Sequence, residues 1–147
     1  MSWESVSRDE TETIDVGRRI GSRVHPPIVI LLVGELGSGK TVLTRGLVEG
    51  LGIQDPALVH SPSFSLVNEY PAVRGLIYHI DLYRLDTLRD QHSIGLDEIL
   101  ASDSIVIVEW ADKLLLPVFH PLRIRIETVD ASTRRITVEE SSVEEYR

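Results

Sequence analysis

The sequence predicts a three-layer α/β fold whose central sheet is mixed and mostly parallel, with an antiparallel strand pair near the C-terminus. Ile28–Val33 (IVILLV) and Ser104–Trp110 (SIVIVEW) are apolar runs without alternation, which indicates strands buried on both faces. Between them, Gly39–Leu51 carries apolar residues at helical spacing. Leu122–Val129 and Arg134–Glu139 alternate apolar and polar residues, as antiparallel neighbours joined by a turn do. Helices interspersed among strands in this way favour the layered α/β class.

The other elements are predicted from weaker signals. An early helix is expected over residues 9–22, because acids stand in its first turn and Pro26-Pro27 follows its end. The middle of the chain is predicted to contain a strand over Phe64–Tyr70, a turn over Pro71–Gly75, a strand over Gly75–Asp81, short helices and loops over 82–102, and a helix over Ala111–Leu116. No internal repeat or long linker divides the 147 residues, so a single domain over 1–147 is expected.

Composition narrows the class of protein. The formal net charge of −8 disfavours unaided binding to nucleic acid, where a basic surface supplies most of the affinity. There is no cysteine, which rules out disulfides and thiolate chemistry in this chain. The apolar runs are too short to span a bilayer, and the N-terminal sequence MSWESVSRDE lacks the features of a signal peptide. A soluble, cytoplasmic protein is therefore expected.

The stretch GELGSGKT follows the first buried strand and opens the predicted helix. Gly34, Gly39, Lys40 and Thr41 meet the spacing G-x-x-x-x-G-K-[ST]. Glycines let such a loop turn its backbone N–H groups toward phosphate oxygens, while the lysine reaches the β and γ phosphates and the threonine hydroxyl reaches Mg²⁺. The alternative is a glycine-rich turn without a ligand, which the flanking strand and helix disfavour. The sequence thus predicts a P-loop NTPase fold.

The predicted nucleotide-binding segment is the loop and the first turn of the helix. Its members are Gly34, Glu35, Leu36, Gly37, Ser38, Gly39, Lys40, Thr41 and Val42. Within it Glu35 is unusual, because a carboxylate side chain would repel phosphate. Its side chain is therefore expected to point into solvent.

Two acids stand at the ends of predicted strands, Asp81 after IYHI and Glu109 after IVIV. A P-loop protein that binds Mg²⁺ needs oxygen ligands besides the threonine and the phosphates, and an acid at the end of a parallel strand is the usual source. The residues alone leave open which acid binds the metal and which orients water. His79 shares a strand face with Asp81, and a packing role or a structural hydrogen bond is expected for it.

Four motifs in order, GELGSGKT, SPSFSLVNEY, HIDLYRL and SIVIVEW, resemble the bacterial TsaE (YjeE) family of small ATPases. That family is required for threonylcarbamoyladenosine modification of tRNA. The likeness runs from about Asp9 to about Glu139. The loop by itself is unspecific, whereas SPSF, HIDLYRL and the EW pair at these separations are specific to the family.

The resemblance implies a role for several residues. Lys40 would hold the phosphates and act in catalysis, Thr41 and Glu109 would bind Mg²⁺, and Asp81 would position the attacking water. Ser63 stands where the family usually has threonine, in a switch-like segment, and keeps the hydroxyl. Thr13 would lie near the base or ribose of the nucleotide. An arginine of the last strand would also approach the nucleotide; Arg135 is assigned to this role, and Arg134 is the open alternative. Trp110 belongs to the family signature and is either core or part of the site.

The resemblance also implies partners and a function. The chain would be an Mg²⁺-dependent ATPase that acts on the TsaD–TsaB complex, which adds the threonylcarbamoyl group to adenosine 37 of tRNAs reading codons that start with A. It would meet tRNA only through that complex and would not bind membranes. Two alternatives stay open: a small-molecule P-loop kinase, for which Arg84 and Arg89 could screen the transferred phosphoryl group, and a module in which nucleotide only sets conformation.

Overall fold

The computed structural model describes residues 2–62 and 65–140. Its strands are β1 (Ser2–Ser7), β2 (Ile28–Val33), β3 (Val67–Ala72), β4 (Gly75–Asp81), β5 (Ile105–Glu109), β6 (Leu122–Thr128) and β7 (Arg134–Glu140). Its α-helices are α1 (Glu10–Gly21), α2 (Lys40–Gly50), α3 (Leu88–Ser93) and α4 (Leu96–Leu100). Single 3-10 turns cover Pro56–Leu58 and Ala111–Lys113. None of the helices within the described residues is long and apolar enough to cross a membrane.

The strands form one sheet in the order β1-β7-β6-β2-β5-β4-β3. The central four, β6, β2, β5 and β4, are parallel to one another, whereas β3 pairs antiparallel with β4, β7 with β6, and β1 with β7. Since β1 opposes β7, which opposes β6, five of the seven strands run in one direction. The predicted mixed, mostly parallel sheet with an antiparallel β6–β7 pair is confirmed.

A hydrophobic core lies on each face of the sheet, which gives the predicted three layers. On one face α1 and α2 cover the sheet through Val16, Ile20, Leu43 and Leu47, all nearly inaccessible. On the other face, α4 and the segment after β5 cover β2, β4 and β5. The non-alternating sequences of β2 and β5 follow from this burial on both sides.

Helices α1 and α2 touch backbone to backbone. A Cβ atom at Gly46 would lie 2.2 Å from the carbonyl oxygen of Ile14, and one at Gly17 would lie 2.5 Å from that of Leu43. Gly21 and Gly50, each four residues further on, make the same approach one turn later. The two glycine pairs therefore set how close α1 lies to α2, and with it the position of the N-terminal end of α1.

The structure differs from the prediction in one additional strand, in the bounds of β3 and of the turn that follows it, and in one helix. Strand β1 was not predicted, because SWESVS has few apolar residues and lies at the sheet edge with an exposed outer face. Strand β3 begins at Val67 rather than at Phe64, which lies outside the described residues, and the turn before β4 shortens to Val73 and Arg74. The predicted helix over 111–116 is one 3-10 turn.

Two features prevent a helix from continuing to residue 116. Pro117 disfavours helical backbone at Leu116. The buried side chain of Gln91 also supplies hydrogen bonds in place of helical ones, because its amide donates to the Lys113 carbonyl at 2.8 Å and accepts from the Leu115 N–H at 3.0 Å.

Candidate nucleotide site

The loop between β2 and α2 has the geometry that its glycines allow. Gly37 and Gly39 have φ angles of +78° and +104°, which side-chain-bearing residues rarely adopt. Gly39 is the N-cap of α2, so the free N–H groups of an eleven-residue helix face the loop. The side chains of Glu35 and Leu36 are exposed, Leu36 at 86%. These two residues can therefore contribute backbone atoms to an anion site, and the expected solvent position of Glu35 is confirmed.

Lys40 is buried at the centre of this loop. Its Nζ atom donates to the carbonyl oxygens of Gly34 at 2.6 Å and Glu35 at 2.9 Å, and lies 4.3 Å from the ring centroid of Trp110. Burial lowers the pKa of Lys40 below its ordinary value, although the negative charges of Glu109 and Asp81 oppose the shift. The ammonium group is therefore held by the loop itself, within the field of the two strand-end acids.

Asp81 and Glu109 lie side by side at the ends of β4 and β5, where they are direct partners in the parallel register. Each is 3% exposed. Both line a cavity of about 300 Å³ together with Lys40, Thr41 and Trp110. Asp81 Oδ1 accepts a hydrogen bond from the Tyr83 N–H at 2.8 Å. The expectation that strand-end acids would meet the phosphate loop is met by this geometry.

The oxygen groups in this cavity suit a hard divalent cation. Two carboxylates and the Thr41 hydroxyl are the ligand types that Mg²⁺ prefers. Within the described residues, no group of three or more His, Cys, Asp or Glu side chains could hold a metal ion. A cation here would therefore depend on Thr41 and on oxygens of the nucleotide, as Mg²⁺ does when it binds with a phosphate substrate.

A second cavity, of about 390 Å³, adjoins the loop on the side of α1 and is lined by residues including Thr13, Ser38, Val42 and Arg134. The Ser38 hydroxyl is buried and has no hydrogen-bond partner among the described residues. A buried polar atom of this kind fits a site that a polar ligand completes. Thr13 is 3% exposed, and its Oγ1 lies 2.6 Å from Ser7 Oγ, which ties α1 to β1 at this position.

Arg134 contacts the loop, whereas Arg135 faces β1. Arg134 Nε donates to the Ser38 carbonyl at 2.8 Å, whereas Arg135 Nε lies 3.8 Å from Glu4 Oε1 in β1. Neighbouring residues of a strand face opposite sides of the sheet, and Arg134 shares its face with Ile136 and Val138, which pack beneath α1 and α2. The geometry thus favours Arg134 over Arg135 as the nucleotide-facing arginine. The alternation of polar and apolar residues in RITVE already places Arg135 on the exposed face of β7, opposite Ile136 and Val138.

Ser63 and Trp110 belong to the remaining sequence motifs of the predicted site. Ser63 lies outside the described residues, so its catalytic role stays a prediction. Trp110 combines a positive φ of 58° with two ring contacts, one to Lys40 Nζ and one to Tyr83 at 4.9 Å between centroids. It lines the cavity and only partly enters the core.

The buried parallel strand, the glycine loop and the helix that follows define a P-loop NTPase fold. A crystal structure of YdiB from Bacillus subtilis superposes with a TM-score of 0.74 at 30% identity, over 97% of this chain and 86% of that one. Residues 7–136 match the family described as threonylcarbamoyl adenosine biosynthesis protein TsaE. The chain belongs to the TsaE family.

Named members of the family are similar over much of the chain. The tRNA threonylcarbamoyladenosine biosynthesis protein TsaE of Treponema pallidum is 34% identical over 90% of this chain and 97% of its own length. The protein of the same name from Bacillus subtilis is 36% identical over 76% of this chain. The match spans 66% of that relative's length, and 53% of the relative from Haemophilus influenzae, which is 43% identical.

Proposed function

We propose that this chain is an Mg²⁺-dependent ATPase that acts in the formation of threonylcarbamoyladenosine at adenosine 37 of tRNAs reading codons that start with A, by working on a TsaD–TsaB complex. The observation that carries the proposal is one cavity in which Lys40 and Thr41 of the loop meet Asp81 and Glu109. Membership of a family named for this tRNA modification supplies the biological context.

The loop residues would bind and orient the phosphates of ATP. The N–H groups at the start of α2 and the Ser38 hydroxyl offer hydrogen bonds to phosphate oxygens. Lys40 would exchange its bonds to the carbonyls of Gly34 and Glu35 for bonds to the substrate. Catalysis of phosphoryl transfer relies mainly on such positioning and on charge stabilisation.

The two acids would divide the remaining work. Glu109, with Thr41, would hold Mg²⁺, which supplies charge neutralisation on the phosphates when bound. Asp81 would orient the attacking water, because its Oδ1 already accepts from the Tyr83 N–H and its carboxylate opens on the same cavity. Both side chains are nearly inaccessible to solvent, so their charges act in a poorly screened environment.

The charge of the chain agrees with action through partner proteins. A formal net charge of −8 repels a phosphate backbone, so direct and tight binding to tRNA is not expected. A surface of this sign is better suited to docking on proteins, and we infer that TsaD and TsaB are those proteins. The site itself presents exposed Leu36 and half-exposed Tyr83 beside the cavity.

The test is release of inorganic phosphate from ATP by the purified chain, alone and with TsaD and TsaB. Slow hydrolysis that rises when the partners are added is expected, because catalysis depends on positioning. Lys40→Ala should lose nucleotide binding, whereas Glu109→Gln should keep binding without Mg²⁺ and lose Mg²⁺-dependent turnover. Equal hydrolysis by the wild type and Lys40→Ala would contradict the proposal.

A further inference from the structure

A fully buried histidine contacts one of the two acids of the site. His79, in β4, is 0% exposed and has hydrogen-bond partners at both ring nitrogens. Its Nε2 lies 2.5 Å from Glu109 Oε2, and its Nδ1 lies 3.2 Å from the Tyr70 hydroxyl. The structural hydrogen bond expected for His79 is therefore present, and its partner is the carboxylate assigned above to the cation.

The partners of His79 determine where its proton lies. An ionised carboxylate only accepts, so Nε2 carries the hydrogen that points at Glu109. At Nδ1 the partner is the Tyr70 hydroxyl, whose own hydrogen is donated to the His60 carbonyl at 3.2 Å. The Asn68 amide completes the chain by donating to the Tyr70 oxygen at 3.3 Å and to the His60 carbonyl at 3.2 Å.

We propose that His79 is a positioning residue that orients the Glu109 carboxylate for Mg²⁺, with Tyr70 contacting its other ring nitrogen. One Glu109 oxygen is engaged by Nε2–H, which leaves the other to be directed at the cavity beside Lys40 and Thr41. A carboxylate already held in one orientation has less freedom to lose when a cation binds. This inference rests on the proposed function, because it requires Mg²⁺ to bind with nucleotide at this site.

The experiment compares His79→Leu with His79→Gln. A glutamine amide can donate near the position of Nε2, whereas leucine keeps similar bulk and cannot donate. The measurement is the Mg²⁺ concentration that half-saturates binding of a fluorescent ATP analogue, beside binding of the same analogue in EDTA. Loss of an outer hydrogen-bond partner costs about 10–100-fold in metal affinity, so His79→Leu should raise the Mg²⁺ requirement by that factor. His79→Gln should recover most of it, with little change in EDTA.

A second measurement needs no substitution at the histidine. Nitrogen-15 NMR of the wild-type chain should show that Nε2 of His79 carries a hydrogen that is engaged in a hydrogen bond. Tyr70→Phe should alter the Nδ1 signal and raise the Mg²⁺ requirement less than His79→Leu does. An Nε2 atom without hydrogen would overturn the inference.

The outcomes separate this inference from the proposed function. If the wild type binds the analogue with Mg²⁺ dependence and folded His79→Leu has an unchanged Mg²⁺ requirement, the positioning role is refuted alone. Equal losses in His79→Leu and His79→Gln would refute it in the same way, since a purely structural role does not depend on the donor. If the wild type binds the analogue equally well with and without Mg²⁺, the proposed function and the inference are both refuted.

Discussion

Gly46→Ala should destabilise the protein although alanine is the better helix former. The added Cβ atom would lie 2.2 Å from the Ile14 carbonyl oxygen and 3.0 Å from the Gly17 Cα. Both neighbours are backbone atoms of α1, so no side chain can move aside. The helices would have to separate along a contact that Gly21 and Gly50 also hold tight.

The size of the effect follows from two opposing contributions. Relieving the overlap requires the helices to part by about 1 Å, and because the neighbours are backbone atoms the cost lies in the upper part of the range for overpacking, at about 2–3 kcal/mol. Replacing glycine by alanine within a helix returns up to about 1 kcal/mol. The unfolding free energy should therefore fall by about 1–2 kcal/mol, and Tm by about 2–8 °C for a chain of this length.

Urea and thermal denaturation measure the change, and Gly95→Ala provides the control. Gly95 has a φ of +72° and open space around it, so alanine there meets only backbone strain, far from the α1–α2 contact. Because α1 carries Thr13, Gly46→Ala should also weaken nucleotide binding, whereas Gly95→Ala should not. Gly46→Ala as stable as wild type, or more stable, would show that helix propensity outweighs the proposed close packing and would refute it.

Three further predictions concern single side chains. Arg134→Ala should weaken nucleotide binding about tenfold, equivalent to about 1.4 kcal/mol, because Arg134 contacts the loop. The matched control is Arg135→Ala, and binding is measured by titration with fluorescent ADP. Equal losses of affinity in the two variants would contradict the assignment of Arg134. Arg74→Met should lower the unfolding free energy in urea by about 1–2 kcal/mol. Its guanidinium donates to the carbonyls of Gly21, Ser22 and Val24 at the C-terminal end of α1, and hydrogen bonds from charged donors that are partly solvated contribute on that scale. An unchanged midpoint would refute this prediction. The lowered pKa of Lys40 means that the ammonium deprotonates before pH reaches the ordinary value of 10.5, so affinity for ATP should begin to fall below that pH. In the same pH range the unfolded chain binds more protons than the folded one, so the contribution of Lys40 to ligand-free stability should rise with pH. The free energy of unfolding of the wild type in urea, minus that of Lys40→Met, should therefore increase with pH.

The sequence was most informative where chemistry restricts residue type. The loop from Gly34 to Thr41 and the acids Asp81 and Glu109 could be predicted because phosphate and cation sites demand those groups after buried parallel strands. The choice between Arg134 and Arg135 could have been made from strand alternation alone. The strand pair β6–β7 could also be predicted from the sequence, because one of its faces is buried and the other is exposed.

Other features depend on contacts between distant segments. Strand β1 has no strong pattern of its own and forms because β7 offers it an unpaired edge. The backbone contact of α1 with α2 depends on glycines that lie 29 residues apart, Gly17 and Gly46. The bond from His79 to Glu109 joins two neighbouring strands, and only the register of β4 with β5 reveals it.

The proposed ATPase would drive modification of tRNA by the partner complex through ATP turnover at this loop. The most direct measurement is incorporation of labelled threonine into tRNA by TsaD and TsaB over several turnovers, with a source of the threonylcarbamoyl group and with wild-type chain or Lys40→Ala. The expected result is repeated turnover with the wild type and ATP, and little with Lys40→Ala or with a non-hydrolysable ATP analogue. Equal incorporation in all three cases would contradict the claim.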